Sequence, residues 1–268
     1  LALGPYEDRN LNASVNGGTE VFDYAFGLGY EKSKGFDARP KVATANHDRD
    51  GYLQHSGSAK LGWNINHAHR LEFSALDSST KAQYDTSKNN DLTFSDTRTQ
   101  SLSWRAKWSD QYQSRLAYTR GTDRYETSPS PYHTKTRIDT YLWHHELNMG
   151  IHRASLDFER RVDNINNTSL NPKPQQKRSQ NAVALGYGLA SGAHTLQVNV
   201  RGDDDSDFGH KATGSLGYAY SFADGWRVSA STGTAFRAPS LYQRFSQYGK
   251  PGLAPEEARN QEIALRYA

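Results

Sequence analysis

Hydrophobic and polar residues alternate along most of this chain with a period of two, the spacing that sends successive side chains to opposite faces of a strand. In 211–222, Ala212, Gly214, Leu216, Tyr218, Tyr220 and Phe222 share one face, and Thr213, Ser215, Gly217, Ala219 and Ser221 share the other. Val183, Leu185, Tyr187 and Leu189 repeat the pattern, as do Leu102, Trp104, Ala106 and Trp108. Shorter runs lie at Leu71, Phe73 and Ala75, at Leu196, Val198 and Val200, and at Trp226, Val228 and Ala230. No segment carries a 3.6-residue apolar stripe, so the pattern predicts an all-β chain. About 13 strands follow, over 10–17, 20–32, 52–65, 69–77, 97–108, 112–123, 137–148, 152–163, 180–190, 194–203, 211–222, 226–235 and 260–268.

The connections differ in kind. Tight-turn signals fall at Gly17-Gly18, Asn66-His67, Ser109-Asp110, Gly150-Ile151, Ser191-Gly192 and Asp224-Gly225. Between them lie polar stretches at 33–51, 78–96, 123–136, 164–179, 203–210 and 236–259. Hairpins with short turns at one end and long loops at the other are the signature of an antiparallel transmembrane β-barrel, with short periplasmic turns and long extracellular loops. Strands of about 10 residues, tilted by about 40°, span roughly 25 Å of apolar band. Lipid offers no partner to a backbone amide, so such a sheet must close, and its polar face lines a wet interior. Trp63, Trp108 and Trp226 flank three of the tight turns, where amphipathic rings favour a membrane interface. An odd strand count, a start within an element and an end within a strand predict an incomplete barrel.

Composition fits one wet face and one apolar face. A mean hydropathy of -0.87 would suggest disorder in a chain poor in aromatics; here 12% of residues are aromatic. Cysteine is absent, which excludes a disulfide framework, a zinc-thiolate site and a cysteine nucleophile. The net charge of +3, from 32 Lys+Arg against 29 Asp+Glu, is too balanced to argue for nucleic acid. No apolar window is long enough for a spanning helix. Residues 1–10 carry neither a basic n-region nor a long apolar h-region, so no signal peptide is visible there.

Candidate chemistry is sparse. Asn46-x-Asp48-x-Asp50-Gly51 places hard oxygens at alternate positions before a glycine, as a calcium loop begins. The twelfth position is Gly57 rather than glutamate, so this is no EF-hand, and a site would need ligands from other loops, such as Asp37 and Asp85. The plain alternative is that Asp and Asn favour turns. Asp203-Asp204-Asp205-Ser206-Asp207 is a second acidic run, read as a solvated turn before a cation site. His67 and His69, and His144 and His145, read as surface histidines. Gly186 and Gly188 either leave room inside the barrel for another element or relieve curvature. Gly27-x-Gly29 lies within a strand and is no nucleotide fingerprint. No Ser/His/Asp set, catalytic carboxylate pair or phosphate loop stands out, and no enzymatic activity is expected.

The stretch 233–268 resembles the TonB-dependent outer-membrane receptors. Phe236, Arg237, Ala238, Pro239 and Leu241 match the first part of a family segment, and Gly249, Pro251, Leu253, Pro255, Glu256 and Glu262 the second. Lys250 and Gly252 depart from its usual Asn and Asn/Asp. Arg201-Gly202-Asp203-Asp204, then Ser206, Phe208 and Gly209, also resemble the preceding strand and loop. Within the family, Gly35-Phe36-Asp37, Asp48-Arg49-Asp50-Gly51-Tyr52 and Gln83-Tyr84-Asp85 are most similar to the cobalamin-receptor branch. The resemblance implies calcium held by Asp37, Asp48, Asp50, Tyr84 (through its carbonyl) and Asp85, ordering the outer loops for substrate. It implies that 1–268 is part of a barrel of roughly 22 strands, with the plug domain and C-terminal strands absent. It also implies location in the outer membrane of a Gram-negative bacterium. Its function would be uptake of a scarce nutrient driven by the TonB–ExbB–ExbD complex acting through the plug, with no nucleic-acid partner. Cobalamin is the first substrate expected and an iron-siderophore the second. Haem receptors of the family usually carry a histidine within this segment, and none occurs from Phe236 to Glu256. The readings from other classes are a passive porin-like channel and a lipid-modifying barrel enzyme, which needs a Ser/His pair at a membrane edge.

Overall fold

The computed structural model describes residues 1–43, 46–86 and 89–268; Thr44, Ala45, Ser87 and Lys88, within the polar stretches 33–51 and 78–96, lie outside the described residues. The described residues form one antiparallel sheet of 14 strands in simple chain order, β1-β2 through β13-β14, with the two outermost strands unpaired to each other. The strands are β1 (Ala2–Leu3), β2 (Arg9–Gly18), β3 (Phe22–Ser33), β4 (Tyr52–Asn64), β5 (His69–Tyr84), β6 (Asp91–Lys107) and β7 (Tyr112–Ser128). They continue with β8 (Tyr132–Met149), β9 (His152–Asn167), β10 (Gln175–Ser191), β11 (His194–Asp205), β12 (Gly209–Ala223), β13 (Trp226–Arg237) and β14 (Glu256–Tyr267). The expected incomplete barrel is thus what forms, with the two-residue β1 as one strand more than alternation shows.

Two further differences have physical causes. Gly17-Gly18 still belongs to β2, and the turn lies at Thr19–Val21, where the Thr19 hydroxyl accepts the amides of Val21 (3.3 Å) and Phe22 (3.1 Å). More broadly, the strands overrun the polar stretches expected to be loops, and the connections at that end shrink to 34–51, 85–90, 129–131, 168–174, 206–208 and 238–255. β8 has 18 residues, spanning roughly 45 Å against an apolar band of about 25 Å. Beyond that band both faces are wet, so alternation disappears while the backbone ladder continues. Polar cross-strand pairs hold it there, such as Ser79 to Asp96 at 2.7 Å and Thr97 to Asp123 at 3.0 Å.

The two faces of the sheet are chemically distinct. The outer face is apolar and aromatic, and its rings gather near the short turns. His69 stacks on Trp104, with Trp108 edge-on to both. Trp226 meets Phe222 and Tyr267. The inner face is a lattice of ion pairs: Arg70 with Asp23 at 2.8 Å, His144 with Asp157 at 2.6 Å, and Arg201 with Glu159 at 2.9 Å and with Asp203 at 2.9 Å. That wet wall accounts for the negative mean hydropathy. Among the described residues the buried apolar cluster is small, Ile165, Leu170 and Leu241 with Tyr242 and Phe245 against it. It lies where the connection 238–255 folds back onto the wall.

Candidate metal centre and docked outer segment

The connection after β3 is shaped by one glycine. Gly35 has φ +59, and a Cβ there would stand 1.9 Å from the Asp50 carbonyl oxygen, so no side chain fits. The Ser33 hydroxyl accepts the Gly35 amide at 3.0 Å, and the Asp50 amide donates to the Phe36 carbonyl at 3.1 Å. Gln83 then ties the connection to β5: its side-chain oxygen accepts the Gly51 amide at 3.0 Å, and its own amide donates to the Gly51 carbonyl at 2.9 Å.

This crossing gathers Asp48, Asp50 and Asp85, each offering a carboxylate oxygen within 4.8 Å of the others. Asp50 Oδ2 accepts the Ala38 amide at 3.1 Å, while its Oδ1 is buried without a partner. Asp85 is 7% exposed, and its Oδ2 is also buried and unpartnered. Burial above all, then the charge of Asp50 and the hydrogen bond a protonated Asp85 makes to it, then the charges of Asp37 and Asp48, push the Asp85 carboxyl above the usual carboxylate range. Two orphaned buried carboxylate oxygens facing a third acid form an arrangement that a hard cation would satisfy. Asp37 stands apart from the triad. Its Oδ1 accepts the Arg39 amide at 2.9 Å, and its Oδ2 lies 3.3 Å from His47 Nδ1. Tyr84 ends β5 immediately before Asp85.

The second acidic run is divided: Asp204 and Asp207 are exposed, as a solvated turn requires, while Asp203 and Asp205 are buried. Asp203 accepts from Gln180 at 2.9 Å and pairs with Arg201. Asp205 accepts the amides of Asp207 (2.9 Å) and Phe208 (3.3 Å). Asp207 pairs with Arg244, and Asp204 with His210 at 3.1 Å. Asp203 and Asp205 are buried because alternation turns both to the inner face, against β10. Each carboxylate of the run has a protein partner. His69 packs among tryptophans on the outer face, whereas His144 faces inward to Asp157. A Cβ on Gly186 would meet Ser155 Oγ at 2.5 Å, so neighbouring side chains already fill that space, whereas Gly188 meets nothing closer than 3.9 Å.

The segment after β13 builds a second constellation that residue spacing alone does not show. Ser240 caps the short helix α1 (Leu241–Phe245) through a reciprocal pair of bonds with Gln243. Arg178 donates from Nη1 to the Pro239 carbonyl and from Nη2 to Asp163, both at 2.7 Å, and its Nε lies 3.6 Å from Asp205. Arg244 stacks on Phe208 and Phe245. Fully buried Asn167 donates to Tyr132 (2.9 Å) and Thr134, and Tyr132 donates to Tyr242 at 2.8 Å. Asn167→Ala strands these donors and acceptors, at a cost of about 1–3 kcal/mol. The expected result is faster limited proteolysis within 168–174 and 238–255; unchanged cleavage would show that Asn167 does not hold the segment.

Comparison with known proteins adds the following. A sequence model described as TonB dependent receptor-like, beta-barrel, matches residues 3–268. A vitamin B12 transporter BtuB of Photobacterium profundum is 26% identical over 264 residues, covering 95% of this chain and 43% of its own length. One from Vibrio cholerae is 26% identical over 259 residues, covering 89% and 40%. The chain therefore spans less than half of these relatives. In fold it is similar to the siderophore receptor PirA of Pseudomonas aeruginosa, with a TM-score of 0.81 at 18% identity, over 97% of this chain and 49% of that one. The FrpB iron transporter of Neisseria meningitidis gives a TM-score of 0.78 at 16% identity, over 98% and 51%.

Proposed function

Because the chain belongs to the TonB-dependent receptor β-barrel family, we propose that it is part of the wall of an outer-membrane receptor for cobalamin. That receptor captures its substrate outside a Gram-negative cell and imports it with energy relayed by TonB–ExbB–ExbD. The carrying observation is the Asp48–Asp50–Asp85 triad with its two unpartnered buried oxygens. Calcium there would order the connections around the triad; the family resemblance adds Asp37, which stands outside the triad, and the Tyr84 carbonyl as further ligands. The vitamin B12 transporters that align along nearly the whole chain support the substrate. On this reading its role is transport, as in the named relatives, rather than catalysis.

An iron-siderophore is the second reading, favoured by the names of the fold neighbours. Calorimetry of the full receptor separates the two. Cobalamin requires calcium-dependent cyanocobalamin binding on the order of nanomolar, lost in Asp48→Ala/Asp50→Ala. Absence of binding with calcium present overturns cobalamin and moves the titration to ferric chelates.

A further inference from the structure

Among the described residues, only Tyr6 and Glu7 combine a side chain with a positive φ, at 60° and 58°. They sit in the turn between β1 and β2. The Gly4 amide donates to the Asp8 carbonyl (3.0 Å) and the Asp8 amide to the Pro5 carbonyl (3.2 Å), closing that turn. Two successive left-handed residues are what a type I′ turn demands, and Asn-Gly meets the demand where Tyr-Glu does not. Tyr6 is 52% exposed, so burial does not account for its conformation. The connection after β3 holds it. The Tyr6 carbonyl accepts the Lys34 amide at 3.0 Å, Glu7 pairs with Lys34 Nζ at 2.5 Å, and the Tyr6 and Phe36 rings lie 5.6 Å apart. The Phe36 carbonyl in turn accepts the amide of Asp50, a member of the acidic triad, at 3.1 Å.

A strained turn persists only while its surroundings over-determine it, and here the supports come from the stretch Lys34–Phe36. We infer that the turn 5–8 is a strained clasp on the crossing at Gly35, and that Tyr6 and Glu7 are positioning residues for the acidic triad. When the crossing loosens, the turn relaxes out of the left-handed region. When a cation draws Asp48, Asp50 and Asp85 together, the crossing orders and the turn is driven back. The strain thus lowers the resting population of the ordered crossing, and the apparent cation affinity falls by the same factor. The affinity part rests on the cation reading above; the clasp itself does not.

The test compares two variants of the full receptor, Tyr6→Asn/Glu7→Gly and Tyr6→Ala/Glu7→Ala. Both lose the Glu7–Lys34 pair and the ring contact, but only the first is relieved of strain. Without calcium, tryptic cleavage after Lys41 and Arg49 tracks the population of the loosened crossing. It should be about tenfold slower in Tyr6→Asn/Glu7→Gly than in the alanine pair. Calorimetric titration with calcium alone should show tighter binding by the same factor. Equal cleavage of the two variants overturns the clasp, whatever calcium does. Slower cleavage with no heat of calcium binding in either variant or the wild type sustains the clasp and sinks the cation reading. Slower cleavage with equal calcium affinities overturns the coupling to the triad.

Discussion

Arg178→Ala should destabilise the outer half of the wall by about 3–5 kcal/mol, the cost of leaving buried charge without its counter-ion. The side chains of Arg178, Asp163 and Asp205 are 8%, 11% and 0% exposed. Asp163 keeps Arg161 at 2.7 Å, and Asp205 keeps two backbone amides, so the variant should fold. The same guanidinium also holds the Pro239 carbonyl, so connection 238–255 should loosen with it. Denaturant unfolding of the refolded receptor measures the first effect and proteolysis of the connection the second. Arg178→Met with Asp163→Leu should recover only part of the loss, because it removes two buried charges while Asp205 stays buried without its cation. A loss below about 1 kcal/mol for Arg178→Ala would mean that water reaches the triad and screens it.

If calcium occupies the triad as proposed, Gly35→Val should abolish calcium-dependent ordering while leaving all three acids in the sequence. The added side chain requires the Asp50 carbonyl to move, and Asp48 and Asp50 move with it. Asp50→Asn/Asp85→Asn should lose calcium binding by the opposite route, keeping the backbone and removing charge. Calorimetric binding at wild-type strength in Gly35→Val would show that the crossing does not shape the site. The pH dependence has a definite sign. Without calcium, the raised Asp85 carboxyl means that the folded chain binds more protons than the unfolded one. This group therefore favours folding as pH falls through its titration and disfavours it as pH rises. A bound cation must displace that proton, so calcium affinity should fall as pH drops into the raised range. Calcium affinity that stays constant as pH is lowered through the titration of the triad would place the cation elsewhere.

Legibility in the sequence followed solvent. Where one face meets hydrocarbon, as from Phe22 to Tyr30 or Leu216 to Phe222, alternation marks each strand and its register. Above that height, apolar residues thin to Leu92 and Phe94 in 91–96 and to Tyr125 in 124–128. These stretches read as loops, yet they continue as strand because the ladder of the neighbouring strands is already in place. Asp48 and Asp50 were legible because their spacing is local, whereas the partnership with Asp85 depends on a chain crossing at Gly35. The family resemblance pointed to it; periodicity could not. The Arg178–Asp163–Asp205 triad lacked any signal of its own. Its members come from three strands, and they became neighbours through parity and register.

The strand order has a consequence for assembly. Every long strand pairs only with its neighbours in sequence, so each hairpin is a closed local unit, and the sheet can grow one hairpin at a time, as a repeat protein grows one repeat at a time. Contacts between near neighbours in sequence carry a small loop-closure penalty. A growing sheet always presents one fresh edge and needs no threading. The same logic governs divergence: a hairpin gained or lost between two turns changes the girth of the wall while leaving the register of the remaining strands intact.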